Sequence, residues 1–259
     1  MNQPAAIDIL ITGATGGVAG ALIERLHQRG HRLALVARDV DVLHERAGAD
    51  DCIIEADVST EAGAQHAIQA ATAAFGSTPA GLVHAAGSTL LAPLHRTTET
   101  QYRAAMAANA DSAFFTLRAW TAARVKAADE DTPAGAAVLF SSVVAAIGVP
   151  NHEAIAMAKG AVAALVAATA ATYASQGLRV NAIAPGLTRT GATERLFANA
   201  QAEAAITAQY PLGRYGQADD QARLAEFLLL DASWMTGEIL ACDGGFTHIR
   251  PLLPARTRT

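Results

Sequence analysis

The chain has 259 residues, of which 51% are hydrophobic, 17% charged and 5% aromatic. That is enough for one large α/β domain with a two-sided core, and too apolar for disorder. With 19 basic against 24 acidic residues the net charge is −5, which argues against nucleic acid or an acidic membrane surface as partner, since both require clustered Lys and Arg.

Short apolar runs alternate with longer alanine-rich stretches. Strands are expected near 7–11, 33–37, 52–54, 82–85, 137–141, 179–184 and 239–242, and helices near 17–29, 40–47, 61–75, 99–127, 152–175 and 218–230. The strand runs are apolar nearly throughout, as central parallel strands covered on both faces must be. The expected fold class is therefore α/β, a Rossmann-type doubly wound parallel sheet of about seven strands with helices on both faces. Residues 1–249 read as a single dinucleotide-binding domain. A lid is expected over about 188–216, where Gly, Pro, polar and aromatic residues mix, and 250–259 reads as a C-terminal tail.

The beginning, MNQPAAIDILITG, lacks a basic region ahead of a long apolar stretch, so no secretory leader is expected. The weakly polar run 161–174 is shorter than the ~20 residues of a membrane span. Cys52 and Cys242 sit in apolar runs without metal or disulfide spacing and read as inert buried thiols. Together these features point to a cytoplasmic protein.

The first strand runs into Thr12-Gly13-Ala14-Thr15-Gly16-Gly17-Val18-Ala19-Gly20 and then a helix. Glycines permit a tight turn and close approach, and the helix N-terminus presents free N–H groups to phosphate. A dinucleotide site is expected there. The second strand ends Ala37-Arg38-Asp39. An arginine at this tip suits a 2′-phosphate, so NADP(H) is favoured over NAD(H). Asp39 fits either a ribose contact or a helix cap.

TGATGGVAG, Asp57-Val58, His84-Ala85-Ala86-Gly87, Asn109, Ser142, Lys159, Pro185-Gly186 with Thr190, and Cys242-Asp243-Gly244-Gly245 fall in the order and spacing of the short-chain dehydrogenase/reductase family, which the chain resembles over about residues 7–247. The resemblance implies cofactor contacts from Gly13, Thr15, Gly17, Val18, Arg38, Asp57, Val58, Ala86, Gly87, Lys159, Pro185, Gly186, Thr188 and Thr190. It also implies a homodimer or homotetramer acting on a small-molecule substrate. His84 and Ala85 depart from the family's Asn-Asn pair, and Ala19 replaces its third glycine.

In this family a tyrosine four residues before the lysine donates the proton, with a serine orienting the carbonyl and an asparagine positioning a water. By that correspondence Ser142, Lys159 and Asn109 are present, and the tyrosine position is Ile155. Isoleucine has no proton to give. His152, seven residues before Lys159 on roughly the same helical face, is a candidate donor; the alternative is a solvated residue on the first turn. Tyr210 and Tyr215 of the lid are further candidates, although lid tyrosines more often pack. His27 and His31 have i,i+4 spacing, but Gly30 ends the helix between them, and His44, His66, His95 and His248 are isolated; all read as surface residues, so no metal is expected. The apolar stretch Val143-Val144-Ala145-Ala146-Ile147 and the lid's Leu187, Leu196 and Phe197 suit an apolar substrate pocket; ordinary core packing explains the first stretch nearly as well. The function this implies is an NADP(H)-dependent oxidoreductase of a carbonyl or conjugated alkene with an altered proton donor; the alternative is a redox-inactive nucleotide-binding protein.

Overall fold

The computed structural model describes residues 6–128 and 134–249; the tail expected at 250–259 lies outside them. Seven strands, β1 (Asp8–Thr12), β2 (Arg32–Ala37), β3 (Cys52–Glu55), β4 (Gly81–His84), β5 (Gly135–Phe140), β6 (Leu178–Pro185) and β7 (Ile239–Cys242), form one parallel sheet in the order β3-β2-β1-β4-β5-β6-β7. The helices are α1 (Gly17–Gln28), α2 (Leu43–Arg46), α3 (Glu61–Phe75), α4 (Glu99–Met106), α5 (Ser112–Ala127), α6 (Glu153–Tyr173), α7 (Ala200–Thr207) and α8 (Ala218–Glu226).

Successive strand residues point to opposite faces. Leu10, Val36, Leu82, Leu139 and Val180 therefore enter a core covered by α3, α5 and α6, whereas Ile9, Ile11, Leu35, Val83 and Val138 meet α1 and α8 on the other face. Both faces of the central strands are covered, which explains why β1, β2, β4 and β5 show no alternation in polarity. The chain leaves β1 toward β2 and β3, then returns to β4 on β1's other side. The carboxyl ends of β1 and β4 thus flank the crevice where such sheets bind ligands.

Three expected helices differ in detail. The helix at 99–127 is broken into α4, a π-helical stretch Ala107–Asp111, and α5. The helix at 40–47 shrinks to α2, because Asp39 first turns the chain by accepting the Asp41 N–H at 3.1 Å. The apolar run read as 161–174 belongs to a helix spanning Glu153–Gln176, 24 residues with mean hydropathy 1.8, long and apolar enough by length and composition to cross a membrane. Here it is a layer of the domain, carrying Lys159 and lying along β5 and β6.

After β6 the chain leaves the sheet at Thr188 and returns at Gly216, where a parallel bridge joins the two residues. The excursion holds a 3-10 turn, Glu194–Phe197, and α7, capped by Asn199 accepting the Ala202 N–H at 2.9 Å.

Candidate active site

Gly13 adopts φ +66°, and a Cβ there would fall 2.6 Å from the Ala86 amide nitrogen, so the turn can lie against the Ala85–Ala86 backbone only as glycine. A Cβ on Gly17 would fall 3.2 Å from the Thr190 side chain. The turn after β1, the end of β4 and the segment after β6 are thereby brought into one strip. α1 begins beyond Gly16, which offers no side-chain cap, and its first turn carries no acidic residue. The N–H groups of Gly17, Val18 and Ala19 have no partner within the helix, so its positive end is open to an anion. Thr15 is exposed beside them. Ala19 is buried in the α1 core, where its methyl fits.

Arg38 and Asp57 stand exposed beyond β2 and β3, and Val58 is buried behind them. Asp57 Oδ1 accepts the Ser59 hydroxyl at 2.7 Å and the Ser59 N–H at 3.0 Å. These bonds, with the charge of Arg38 nearby, hold the carboxylate below its usual range. An exposed cation thus stands near Asp57 at the end of β2, while Asp39 serves its turn.

A Cβ on Gly87 would meet Asn109 Oδ1 at 2.8 Å and Lys159 Nζ at 3.4 Å, so the backbone after β4, the π-turn and α6 converge there. Asn109 is buried; its Nδ2 donates to the Ala105 carbonyl at 2.9 Å and its Oδ1 accepts the Ser88 N–H at 3.3 Å. Lys159 Nζ donates to the Phe140 carbonyl at 2.8 Å, and the Lys159 carbonyl accepts the Ser141 hydroxyl at 2.9 Å. Burial pushes the Lys159 ammonium down to about 8. Next to Ser141, Ser142 Oγ accepts the Val144 N–H at 3.3 Å, which leaves its own proton available.

Ile155 stands one helical turn before Lys159 and is 6% exposed. His152 occupies the position that caps α6, half-exposed, with Nδ1 2.7 Å from the Pro150 carbonyl. Nδ1 must carry the proton in that contact, so the neutral ring presents only a lone pair at Nε2. Both lid tyrosines are engaged in packing and hydrogen bonds. Tyr210 is buried and accepts the Leu187 N–H at 2.7 Å. Tyr215 donates to Glu203 at 2.6 Å and packs its ring on Phe197 at 4.7 Å. Val143 and Phe197 are buried, at 4% and 6% exposure.

Pro185 closes β6. A Cβ on Gly186 would fall 3.0 Å from Asp243 and 3.1 Å from the Tyr210 ring, which is why the strand end and the Cys242-Asp243-Gly244-Gly245 turn meet through glycine. Thr188 Oγ1 donates to the Gly186 carbonyl at 3.1 Å and accepts Gln221 Nε2 at 3.1 Å. The Thr190 N–H is held by Thr193 Oγ1 at 3.0 Å.

Two histidines are buried, His31 against its expected surface reading and His84 at the end of β4. His31 Nδ1 accepts the Ile7 N–H at 3.1 Å, and burial pushes its pKa down. His84 is 3% exposed, with Nδ1 2.8 Å from Thr12 Oγ1 and Nε2 3.2 Å from Ser112 Oγ. Ser112 donates its own proton to the Ala108 carbonyl at 2.8 Å, so Nε2 must donate to Ser112 and Nδ1 must accept from Thr12. Burial, then the charge of Lys159, pushes His84 down to about 3. A neutral imidazole therefore links the start of the glycine turn to the π-turn bearing Asn109. Sequence reasoning registered His84 only as a departure from a pattern. Among the described residues no group of three or more His, Cys, Asp and Glu could hold a metal ion. Cys52 and Cys242 are free and half-buried, and burial raises the Cys52 thiol to about 11.

Over residues 13–247 the chain matches the family described as Enoyl-(Acyl carrier protein) reductase. It is 33% identical over 252 residues to 2-(S)-hydroxypropyl-CoM dehydrogenase 3 of Xanthobacter autotrophicus, covering 93% of this chain and 96% of that one. The Inactive 2-(S)-hydroxypropyl-CoM dehydrogenase 2 of the same organism is 35% identical over 228 residues, covering 85% and 96%. A crystal structure from Agrobacterium tumefaciens with bound NADP superposes with a TM-score of 0.81 at 28% identity, covering 94% of this chain and 97% of that one. The chain belongs to the short-chain dehydrogenase/reductase family of oxidoreductases.

Proposed function

We propose that the protein is an NADP(H)-dependent oxidoreductase that reduces a small carbonyl or a conjugated alkene, with its proton delivered by a route that bypasses a phenol. The observation that carries this reading is the convergence of Gly87, Asn109 and Lys159 beside the Gly13–Gly17 turn. The dinucleotide fits the residues present: two glycine positions whose Cβ would collide with neighbours, an uncapped helix N-terminus, and an exposed arginine at the β2 tip.

Gly13, Thr15, Gly17 and Val18 would hold the pyrophosphate, Arg38 the 2′-phosphate, and Asp57 and Val58 the adenine. Ala86, Gly87, Pro185, Gly186, Thr188 and Thr190 would line the nicotinamide end, with Lys159 on its ribose. The bound cofactor supplies a hydride. Ser142 orients the substrate oxygen through its free hydroxyl proton. Ile155, in the position of the family's tyrosine, donates nothing. The proton then comes from water held near the Lys159 ammonium, which His152 can supplement only as imidazolium. Loss of a positioned acid typically removes ~10²–10⁴ in rate. A conjugated acceptor suffers least, because its enolate can be protonated after hydride transfer. Exposed Phe114, Val125 and Met157 on α5 and α6 support the further expectation of a homodimer or homotetramer, in the cytoplasm.

A second reading, a nucleotide-binding protein without turnover, is favoured by the buried Ile155 and by the likeness to a relative named as inactive. NADPH fluorescence titration followed by a panel of ketones and enones separates the two. The expected result is tighter binding of NADPH than NADH and slow cofactor oxidation that Lys159→Ala and Ser142→Ala abolish. Binding without oxidation across the panel selects the second reading, and absence of binding at millimolar cofactor overturns both.

A further inference from the structure

Arg46, at the end of the single-turn helix α2, has no role in the reading above. Its Nη1 donates to the Ala14 carbonyl at 2.8 Å and to the Gly16 carbonyl at 3.1 Å. Both carbonyls belong to the glycine turn. The guanidinium lies over Gly20, where a Cβ would fall 3.0 Å from Nη1 and 3.2 Å from Cζ. α2 is anchored beneath by Leu43, fully buried against the α1 core, so the arginine projects from a fixed base.

A trans peptide is planar, with the carbonyl of one residue antiparallel to the N–H of the next. Fixing the Ala14 carbonyl therefore fixes the Thr15 N–H, and fixing the Gly16 carbonyl fixes the Gly17 N–H, both directed away from Arg46. Neither N–H donates to another group among the described residues, while the neighbouring amides of Ala14 and Gly16 are spent on Val36 and Gly13 at 3.2 and 2.9 Å. Arg46 thus clamps the outer side of the turn and aims its two unspent inner donors.

We infer that Arg46 is a positioning residue of the phosphate-binding turn: from outside the crevice it orients the Thr15 and Gly17 N–H groups toward the cofactor's pyrophosphate, and Gly20 is the glycine that gives it room. This rests on the dinucleotide reading above. Because it acts on the pyrophosphate, which both cofactors share, it must strengthen NADPH and NADH binding alike.

Fluorescence titration of both cofactors into wild type, Arg46→Ala, Arg46→Lys and Gly20→Ala tests it, with thermal unfolding run alongside. Arg46→Ala should weaken NADPH and NADH by a similar factor of about ten, the worth of one charge-assisted hydrogen bond, in a chain that still unfolds cooperatively. Arg46→Lys should recover part of the loss. Gly20→Ala, whose Cβ would press the guanidinium by a few tenths of an ångström without changing charge, should weaken both cofactors in the same sense and by less than Arg46→Ala. Steady-state rates should show a raised KM for cofactor with kcat retained at saturation. Unchanged affinities in Arg46→Ala overturn the inference. So does a loss confined to NADPH, which would assign the guanidinium to the 2′-phosphate. A wild-type chain that binds neither cofactor fails the dinucleotide reading instead, a distinguishable outcome.

Discussion

Replacing Lys159 by methionine should stabilise the cofactor-free protein, by an amount that depends on pH in a defined way. Burial moves the ammonium from its usual 10.5 to about 8. Each pKa unit corresponds to about 1.4 kcal/mol, so near neutral pH the folded chain bears ~3 kcal/mol for keeping this charge out of water. Below pH 8 the lysine is protonated in both the folded and the unfolded chain, and that cost is fully present. Between pH 8 and 10.5 the folded chain releases its proton first, the unfolded chain binds more protons, and the stability of wild type rises with pH. The methionine variant has no such group. The stability difference between Lys159→Met and wild type should therefore be largest at pH 7–8 and shrink by about 2 kcal/mol from pH 8 to pH 10. Urea unfolding of both proteins at pH 7, 8, 9 and 10 reads this directly, and titration of all other groups cancels in the comparison. A difference that stays constant from pH 8 to 10 would refute the desolvated lysine, and with it the claim that the site keeps its ammonium in a low-dielectric crevice.

Two further outcomes follow from the hydrogen-bond geometry. His84→Ala removes the imidazole between Thr12 and Ser112 and leaves buried hydroxyls without their partner; a loss of about 2–4 kcal/mol in urea unfolding is expected, and a loss under 0.5 kcal/mol would show that the linkage is not formed. His152→Ala should leave the reduction rate within about twofold, because the ring's Nδ1–H is spent on the Pro150 carbonyl. A fall of a hundredfold would make His152 the donor.

The sheet was legible because its central strands are covered on both faces and so appear as nearly unbroken apolar runs; positions such as Leu10 and Ile11 enter different cores but look alike in sequence. Gly13, Gly17 and Gly87 were legible as a spaced set, and the structure gives Gly13 and Gly87 a neighbour that a Cβ would strike and Gly17 a tight contact with Thr190. The π-turn at Asn109 was not, since Ala104, Ala105, Ala107, Ala108 and Ala110 around it give the apolar period no contrast from which an inserted residue could be counted. His31 and His84 looked like surface residues or departures because their burial depends on partners far along the chain, Ile7 for one and Thr12 and Ser112 for the other. Arg46 escaped notice for the same reason: its partners are backbone carbonyls 30 and 32 residues away, and no side-chain pattern records a carbonyl.

The central claim is that an oxidoreductase site stands assembled here around an aliphatic residue where a proton donor belongs. Installing the phenol tests it most directly. Ile155→Tyr, assayed with NADPH and a panel of small ketones at pH 7, should raise the reduction rate by about a hundredfold or more over wild type, and that gain should vanish when Lys159→Ala is added. A variant that folds and binds NADPH as wild type does, yet reduces no ketone faster, would contradict the account.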